Sequence, residues 1–252
     1  MVLSGDGCLI VGQPFFSYFC DLMKRFCIIA FLILLTGPVW AQRFHPGDAV
    51  PEPYLKVFGH ERFFAVSPIT EDLRKRMEAC SYKGLGGVKW DDLRYVQVLH
   101  RDSDGNAMVG EMVCNKMISN DLLEIFKALF QVAYPIEKMR LVELYDCDDE
   151  ASMRDNNTSC FNQRDITIGG KCSKHSFGMA VDINPRYNPY YKIVASGKTI
   201  VKPEESVEYL NRDASFPYKI EKGDLCYRLF RQHGFFWGGN WLSGKDYQHF
   251  EK

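Results

Sequence analysis

The feature that most constrains the fold is the C-terminal segment, in which two ionisable side chains stand among aromatic residues. Asp246 and His249 lie in the run Asp-Tyr-Gln-His-Phe-Glu, next to Tyr247 and Phe250. Aromatic side chains bury large apolar surfaces. We therefore predict a buried strand that closes the domain instead of a frayed terminus. The fold must then bring the last residues of the chain into its core.

A second polar cluster lies in residues 173–182, where His175 and Asp182 are seven positions apart. Residues 177–183 have strand-like character, which places His175 in the loop entering the strand and Asp182 near its far end. A turn or bulge at Gly178 would let both side chains reach one metal ion. The spacing alone has low specificity, and a hydrogen-bonded structural pair is the alternative.

Together the two segments offer two imidazoles, one carboxylate ligand and one further carboxylate. A catalytic zinc ion needs three protein ligands and an open position for water, and neutral histidine and aspartate are suitable ligands. Asp246 precedes His249 by three residues. It would then deprotonate the water and pass the proton to the leaving amine.

The N-terminal part of the chain indicates export. Residues 23–25 (Met-Lys-Arg) are basic, residues 26–35 form an apolar run, and a small-residue cleavage site ends at Ala41. A membrane anchor is the alternative, but ten residues fall short of the roughly 20 that span a bilayer. We predict a secretory signal, a periplasmic or extracellular protein, and no stable membrane span after cleavage. Residues 1–22 are an over-extended reading frame or an unusually long start of the signal.

Composition excludes several classes of protein. The chain has 252 residues, of which 46% are hydrophobic and 25% charged, and this excludes disordered and fibrous chains. Its net charge of -1 provides no basic field, so nucleic acid is not the expected partner. An even number of cysteines after the signal permits disulfides without fixing their pairing. These cysteines are Cys80, Cys114, Cys147, Cys160, Cys172 and Cys226.

Helix and strand patterns are mixed, without a regular strand–helix–strand alternation. We therefore predict the fold class α+β, in a single compact domain over residues 42–252 that follows an extension and signal at 1–41. We predict helices at about 71–80, 119–130 and 224–233, and strands at 94–101, 107–114 and 138–145. Residues 42–65 are predicted to be an irregular lead-in, and residues 186–222 to form a lid or one wall of a groove.

The motifs resemble those of a known family. Ser-Lys-His-Ser-Phe-Gly-Met-Ala-Val-Asp, at 173–182, fits the pattern S-x-H-x-x-G-x-A-x-D of the M15 zinc peptidases. The run at 246–251 fits their second element, in which an acidic residue precedes a ligand histidine. Residues 156–164 and 237–241 also look like the carboxypeptidase-like branch, and the four elements keep the family's order. The resemblance covers roughly residues 140–252.

The resemblance implies a small antiparallel sheet that carries a zinc site, similar to hedgehog domains and D-Ala-D-Ala peptidases. It implies Zn²⁺ as the cofactor, His175, Asp182 and His249 as its ligands, and Asp246 as the general base. The dipeptidase branch has glutamate at the position of Asp246, whereas the endopeptidase branch has aspartate. This difference argues against a D,D-dipeptidase.

The family also uses an upstream arginine to stabilise the oxyanion or to bind a substrate carboxylate. Arg164 is the candidate, with Arg154 in reserve, because a cation must face the developing negative charge. A surface salt bridge is the alternative for Arg164. Cys160 and Cys172 flank this arginine, and a disulfide between them would hold the loop, although either thiol could instead be free and buried.

Three further residues are substrate-binding candidates with structural alternatives. Ser173 would bind substrate or brace the ligand loop. Trp237 and Trp241 would line a groove for a peptide or sugar, or belong to the core, as Phe235 is expected to do.

The predicted function is that of an exported zinc-dependent peptidase, acting as a monomer on peptidoglycan stem peptides. Both a D-Ala-D-Ala carboxypeptidase and an L-Ala-D-Glu endopeptidase fit the resemblance. The alternatives are a non-catalytic, zinc-stabilised extracellular binding module, as in the related hedgehog signalling domains, and a disulfide-stapled binding domain without metal. Asp246 argues against the first, because a structural zinc site is normally closed by a fourth ligand. The second would require the four motif elements to coincide by chance.

Overall fold

The computed structural model describes residues 43–163 and 172–252. The predicted signal at 1–41 and the domain start at residue 42 lie outside the described residues. Residues Phe44–Lys252 form one compact unit. None of the helices in the described part of the chain has the length and apolar character that a membrane span requires.

Short helices and short antiparallel strands alternate irregularly along the unit. The α-helices of the described residues are α1 (Glu52–Phe58), α2 (Glu71–Ala79), α3 (Ser119–Gln131), α4 (Asp149–Arg154) and α5 (Leu225–Gln232). The strands are β1 (Ala49–Val50), β2 (Ala65–Pro68), β3 (Leu93–Arg101), β4 (Ala107–Asn115), β5 (Ala180–Asp182), β6 (Tyr190–Ile193), β7 (Thr199–Lys202), β8 (Phe236–Trp237), β9 (Lys245–Asp246) and β10 (His249–Glu251).

The strands form three small sheets with antiparallel pairing. The first has the order β1-β4-β3-β2, the second β5-β10-β8 and the third β7-β6-β9. The prediction of an α+β fold with small antiparallel sheets is confirmed, whereas the likeness to hedgehog domains stays a prediction. The second and third sheets carry the polar residues that the sequence singled out.

The main core lies where α3 and α5 meet the first two sheets. Four apolar residues of α3 recur at helical spacing, are almost completely buried, and pack with strand residues and with Phe230 of α5: Leu122, Ile125, Phe126 and Leu129. On β10, Phe250 points into this core, and its ring stacks on that of Phe230 at a centroid distance of 4.3 Å. The predicted burial of the C-terminal strand is confirmed.

Several local predictions are confirmed in detail. Helix α2 begins after Thr70, whose side-chain oxygen accepts a hydrogen bond from the backbone N–H of Leu73 at 3.3 Å. The strands predicted at 94–101 and 107–114 are confirmed as β3 and β4, which pair antiparallel as a hairpin. Helix α5 begins after Asp224, whose carboxylate accepts from the N–H of Leu225.

Three local predictions are wrong. The lead-in at 42–65 is not irregular, since it contains β1 and α1, and proline in the first turn of α1 is compatible with a helix. Residues 138–145 are not a strand; they contain a short 3-10 helix, Val142–Tyr145. Serine before an apolar helical run is typical of an N-cap, which predicts that Ser119 caps α3. Ser119 is instead the first residue of α3, and its hydroxyl donates to the carbonyl of Lys116.

The cysteines pair differently from the suggestion made for the loop around Arg164. A disulfide joins Cys80, which follows α2, to Cys147, with 5.9 Å between their Cα atoms. Cys160 and Cys172 are both free, so the disulfide proposed between them is wrong. Burial raises the pKa of the Cys160 thiol well above its usual value, so this thiol stays protonated.

We expect loss of the Cys80–Cys147 disulfide to lower the free energy of unfolding by about 2–4 kcal/mol, because the bond closes a long loop in the unfolded chain. Urea unfolding of the oxidised protein and of the Cys80→Ala/Cys147→Ala variant measures the difference. Adding a reductant should destabilise the parent to the same extent and leave the variant unchanged. Equal stability of parent and variant would contradict the prediction.

His100 gives the fold a pH dependence. Its ring is buried, with Nδ1 2.6 Å from the carbonyl oxygen of Ile136, and burial lowers its pKa from 6.5 to about 4. Between these two values the unfolded chain binds a proton that the folded chain does not, so stability falls as the pH is lowered through this window. By pH 4.5 the loss is on the order of 2–3 kcal/mol.

The variant His100→Asn keeps a donor to Ile136 but does not titrate. Between pH 7 and pH 4.5 we expect the free energy of unfolding of this variant to fall less than that of the parent, with a difference on the order of 2–3 kcal/mol. Urea unfolding at both pH values measures this difference. Identical pH dependence in the two proteins would show that His100 is not the titrating group.

Candidate metal centre

Two neighbouring strands bring Asp182 and His249 together. Strands β5 and β10 pair antiparallel, with His249 directly opposite Asp182. Opposite residues in such a pair point to the same face of the sheet. Because side chains alternate along β10, His249 and Glu251 face the site while Phe250 faces the core.

His175 enters the site from a tight turn. It lies in a 3-10 helix, Lys174–Phe177, that begins at Ser173, whose hydroxyl oxygen accepts a hydrogen bond from the N–H of His175 at 3.3 Å. The turn ends at Gly178, which has φ of 65°. A Cβ atom there would lie only 2.7 Å from the backbone nitrogen of Asn115, so this position needs glycine. The predicted turn at Gly178 is confirmed.

The three side chains converge on one point. The Nε2 atom of His175 lies 3.1 Å from Nδ1 of His249 and 3.1 Å from Oδ1 of Asp182, and the last two atoms are 3.0 Å apart. Each imidazole nitrogen has a single lone pair or a single N–H, so hydrogen bonds cannot satisfy all three edges of this triangle.

A tetrahedral zinc ion fits this triangle. Bonds of 2.0–2.1 Å place neighbouring ligand atoms about 3.3 Å apart, which is close to the separations found here. All three residues are buried, and His175, Asp182 and His249 form a group that could hold a metal ion.

Each histidine is oriented by a partner on its other nitrogen. His175 Nδ1 lies 2.5 Å from the carbonyl oxygen of Cys160, which can only accept, so Nδ1 carries the proton and Nε2 faces the site. His249 Nε2 lies 3.2 Å from a carboxylate oxygen of Glu251, which leaves Nδ1 for the site. Such outer partners normally accompany metal-ligating histidines.

The charges of the site attract a cation. Burial opposes ionisation of Asp182, but the imidazoles of His175 and His249 hold its pKa well below its usual range. Burial also opposes protonation of His249, but the carboxylates of Asp182 and Glu251 raise its pKa to about 10. The surroundings of the three side chains therefore favour a positive charge, which a bound metal ion would supply.

The three side chains open onto a cavity of about 410 Å³, within the usual size of small-ligand sites. Asp246 lines this cavity from β9, and its charge contributes to the raised pKa of His249. Trp241 lines it as well, with its ring centroid 5.2 Å from that of His249. The cavity thus joins the candidate metal ligands, the candidate base and an aromatic wall.

The structure places the remaining candidates at different distances from the cavity. Ser173 lines the cavity and braces the turn of His175, as in one of its two interpretations. Trp237 instead lies in the core, where its indole N–H donates to the carbonyl of Tyr247, so its placement in a substrate groove is wrong. Phe235 is buried in the core, as expected.

The two candidate arginines do not supply a cation within the described part of the site. Arg164 lies outside the described residues. Arg154 points elsewhere: its Nε atom forms an exposed ion pair with Glu205 at 2.6 Å, and it does not line the cavity.

Several cavity residues were not identified as site residues from the sequence, among them Glu251, Tyr190 and Lys202. Glu251 could have been found, because it lies two positions after His249 and therefore on the same face of a strand. Tyr190 and Lys202 also line the cavity, but they come from β6 and β7, whose pairing no motif indicates.

The fold and this donor set define an α+β protein with a buried His–Asp–His group that could bind a metal ion. A family model described as D-alanyl-D-alanine carboxypeptidase, within the M15 peptidases, matches residues 167–252. The match confirms the resemblance to M15 peptidases for this C-terminal segment, which contains the four residues predicted as ligands and base, and it supports a hydrolase of the peptidase class. The searches of curated proteins and of solved structures found no significant match.

Proposed function

We propose that this chain is an exported zinc-dependent peptidase that hydrolyses peptidoglycan stem peptides. The observation that carries the proposal is the convergence of His175 Nε2, His249 Nδ1 and Asp182 Oδ1 beside an open cavity. The family match over residues 167–252 supports the peptidase class and the choice of substrate.

His175, Asp182 and His249 would hold the zinc ion. When bound, zinc supplies a Lewis acid that polarises the scissile carbonyl and lowers the pKa of water. Cys160 and Glu251 keep the two imidazole rings oriented, since they engage the ring nitrogens that face away from the triangle.

Asp246 would take the proton from the attacking water and deliver it to the leaving amine. It belongs to the third sheet, while the ligands belong to the second sheet and the turn before it. Gly238 lies between β9 and His249: a Cβ atom there would be 2.8 Å from Cβ of Asp246 and 3.3 Å from Cβ of His249. This close approach brings the acidic side chain next to the metal ligands.

The cavity argues for catalysis over a purely structural role of the metal. A structural zinc site is normally closed by a fourth protein ligand, whereas a catalytic site keeps an open position. Among the described residues, the candidate metal group has three members, and it faces the cavity with Asp246. The non-catalytic binding module remains the alternative, and zinc binding without hydrolysis would support it.

Incubation of the zinc-loaded protein with stem peptides, followed by mass spectrometry, tests the proposal. We expect release of a terminal D-alanine or cleavage between L-alanine and D-glutamate, and loss of cleavage after chelation. A folded, zinc-loaded protein that leaves all these peptides intact would contradict the proposed activity.

A further inference from the structure

One wall of the cavity is formed by a row of three side chains in the third sheet. Tyr190 on β6 stands directly opposite Asp246 on β9 and, on its other side, directly opposite Lys202 on β7. Side chains opposite one another across antiparallel strands share a face of the sheet. All three line the same cavity, so the face they share is the wall of the site.

The charges of the cavity make a cation in this wall important for an anionic ligand. Four carboxylates line the cavity: Asp149, Asp182, Asp246 and Glu251. A positive charge that faces a ligand carboxylate would offset its repulsion by these groups. Among the described residues, the lysines that line the cavity are Lys174 and Lys202.

The two lysines differ in their partners. The ammonium group of Lys174 donates to the carbonyl oxygen of Lys252 at 3.2 Å. The ammonium group of Lys202 has no hydrogen-bond or ion-pair partner within the described part of the chain, and its side chain is exposed. Lys202 is therefore available to a ligand.

Tyr190 would add a hydrogen-bond donor beside this cation. Burial and the nearby charge of Asp246 raise the pKa of its phenol, which therefore keeps its proton. The phenol lies between Asp246 and Lys202 in the row, so a ligand that reaches from the candidate base to the lysine passes over it.

The spacing of the row sets where a bound carboxylate would lie. Neighbouring strands are about 4.8 Å apart, so the backbone of Lys202 is roughly 10 Å from that of Asp246. An extended peptide covers this distance in about three residues. The flexible stem of lysine lets the charge meet carboxylates at this distance or nearer.

We propose that Lys202, with Tyr190 beside it, binds a carboxylate of the peptide substrate within about three residues of the cleaved bond. This inference rests on the proposed function for its substrate class. Two carboxylates of a stem peptide lie within this distance of a cleaved bond. One is the C-terminal carboxylate of the terminal D-alanine. The other is the α-carboxylate of D-glutamate, which stays free because this residue is linked to the next one through its side chain.

The test compares a stem pentapeptide that has both carboxylates with two analogues. One analogue has a C-terminal amide, and the other has D-isoglutamine in place of D-glutamate. Calorimetric titration of the zinc-depleted protein measures binding without turnover. The variants are Lys202→Met, Lys202→Arg and Lys198→Met, the last removing the same charge from the turn between β6 and β7, away from the cavity.

We expect the parent to bind the pentapeptide at least about tenfold more tightly than one of the analogues, which identifies the carboxylate that is bound. Lys202→Met should bind the pentapeptide and that analogue with equal affinity. Lys202→Arg and Lys198→Met should still prefer the pentapeptide, as the parent does. In the zinc-loaded protein, Lys202→Met should raise KM with little change in kcat.

Three results would overturn the inference: a parent that binds none of the peptides, a parent that does not discriminate among them, or a Lys202→Met variant that still does. Failure of the proposed function gives a different pattern, in which the peptides bind with the expected discrimination but the zinc-loaded parent cleaves none of them. Cleavage without discrimination would instead retain the function and reject the role of Lys202.

Discussion

Replacing Asp246 with asparagine is expected to lower kcat for stem-peptide hydrolysis by about 10²–10⁴-fold, the contribution that general acid–base catalysis typically makes. Asparagine has nearly the same shape as aspartate but cannot take a proton from water. The three converging ligand atoms belong to His175, Asp182 and His249, so the variant should still bind zinc. Steady-state hydrolysis and metal analysis of the same preparation measure both properties.

Asp213→Asn is a matched control for this experiment. It removes one carboxylate charge at an exposed position that does not line the cavity, so its rate should equal that of the parent. An Asp246→Asn protein that binds zinc and hydrolyses as fast as the parent would show that another group is the base.

The second large effect is expected at His175. Asparagine at this position can still donate to the carbonyl of Cys160, because its amide nitrogen takes the place of Nδ1, but it lacks an atom in the place of Nε2. We expect the zinc affinity of His175→Asn to fall by more than 100-fold, and hydrolysis to fall with it. Competition with a chelator of known affinity measures the change.

Glu251→Gln supplies a graded comparison for the ligand variant. It alters only the outer partner of His249, so its zinc affinity should fall by no more than about 10–100-fold. If His175→Asn bound zinc as well as Glu251→Gln or the parent, His175 would not be a ligand.

The residues of the candidate metal centre could be predicted because the motifs around them resemble those of the M15 zinc peptidases, and because ionisable side chains are uncommon in buried segments. His175, Asp182 and His249 stand among small or aromatic residues, and a buried ionisable group needs partners. The pattern therefore indicated which side chains meet, although it did not show that β5 and β10 place Asp182 and His249 directly opposite each other.

Local patterns failed where contacts distant in sequence decide the conformation. Residues 138–145 alternate between polar and apolar as a strand would. Met139 and Leu141 are buried, but the segment that carries them is irregular. Its backbone makes isolated hydrogen bonds, such as the one that the carbonyl of Met139 accepts from the N–H of Glu111. The Cys80–Cys147 bond joins residues 67 positions apart, and spacing alone does not fix such a pairing.

The cavity wall was missed for the same reason. The sequence indicated only that residues 186–222 form a lid or a groove wall. Tyr190 and Lys202 face the site because β6 pairs with both β7 and β9, and short strands of this kind leave little trace in a hydropathy pattern. Tyr190 and Lys202 therefore had to come from the structure.

The most direct test of the account is the zinc content of the purified protein. After dialysis against zinc and removal of excess metal, elemental analysis should give about one zinc ion per chain, and none for His175→Asn, with both proteins folded by circular dichroism. A folded parent that retains no zinc, or a His175→Asn variant that retains as much as the parent, would contradict the assignment of His175, Asp182 and His249 as a metal centre.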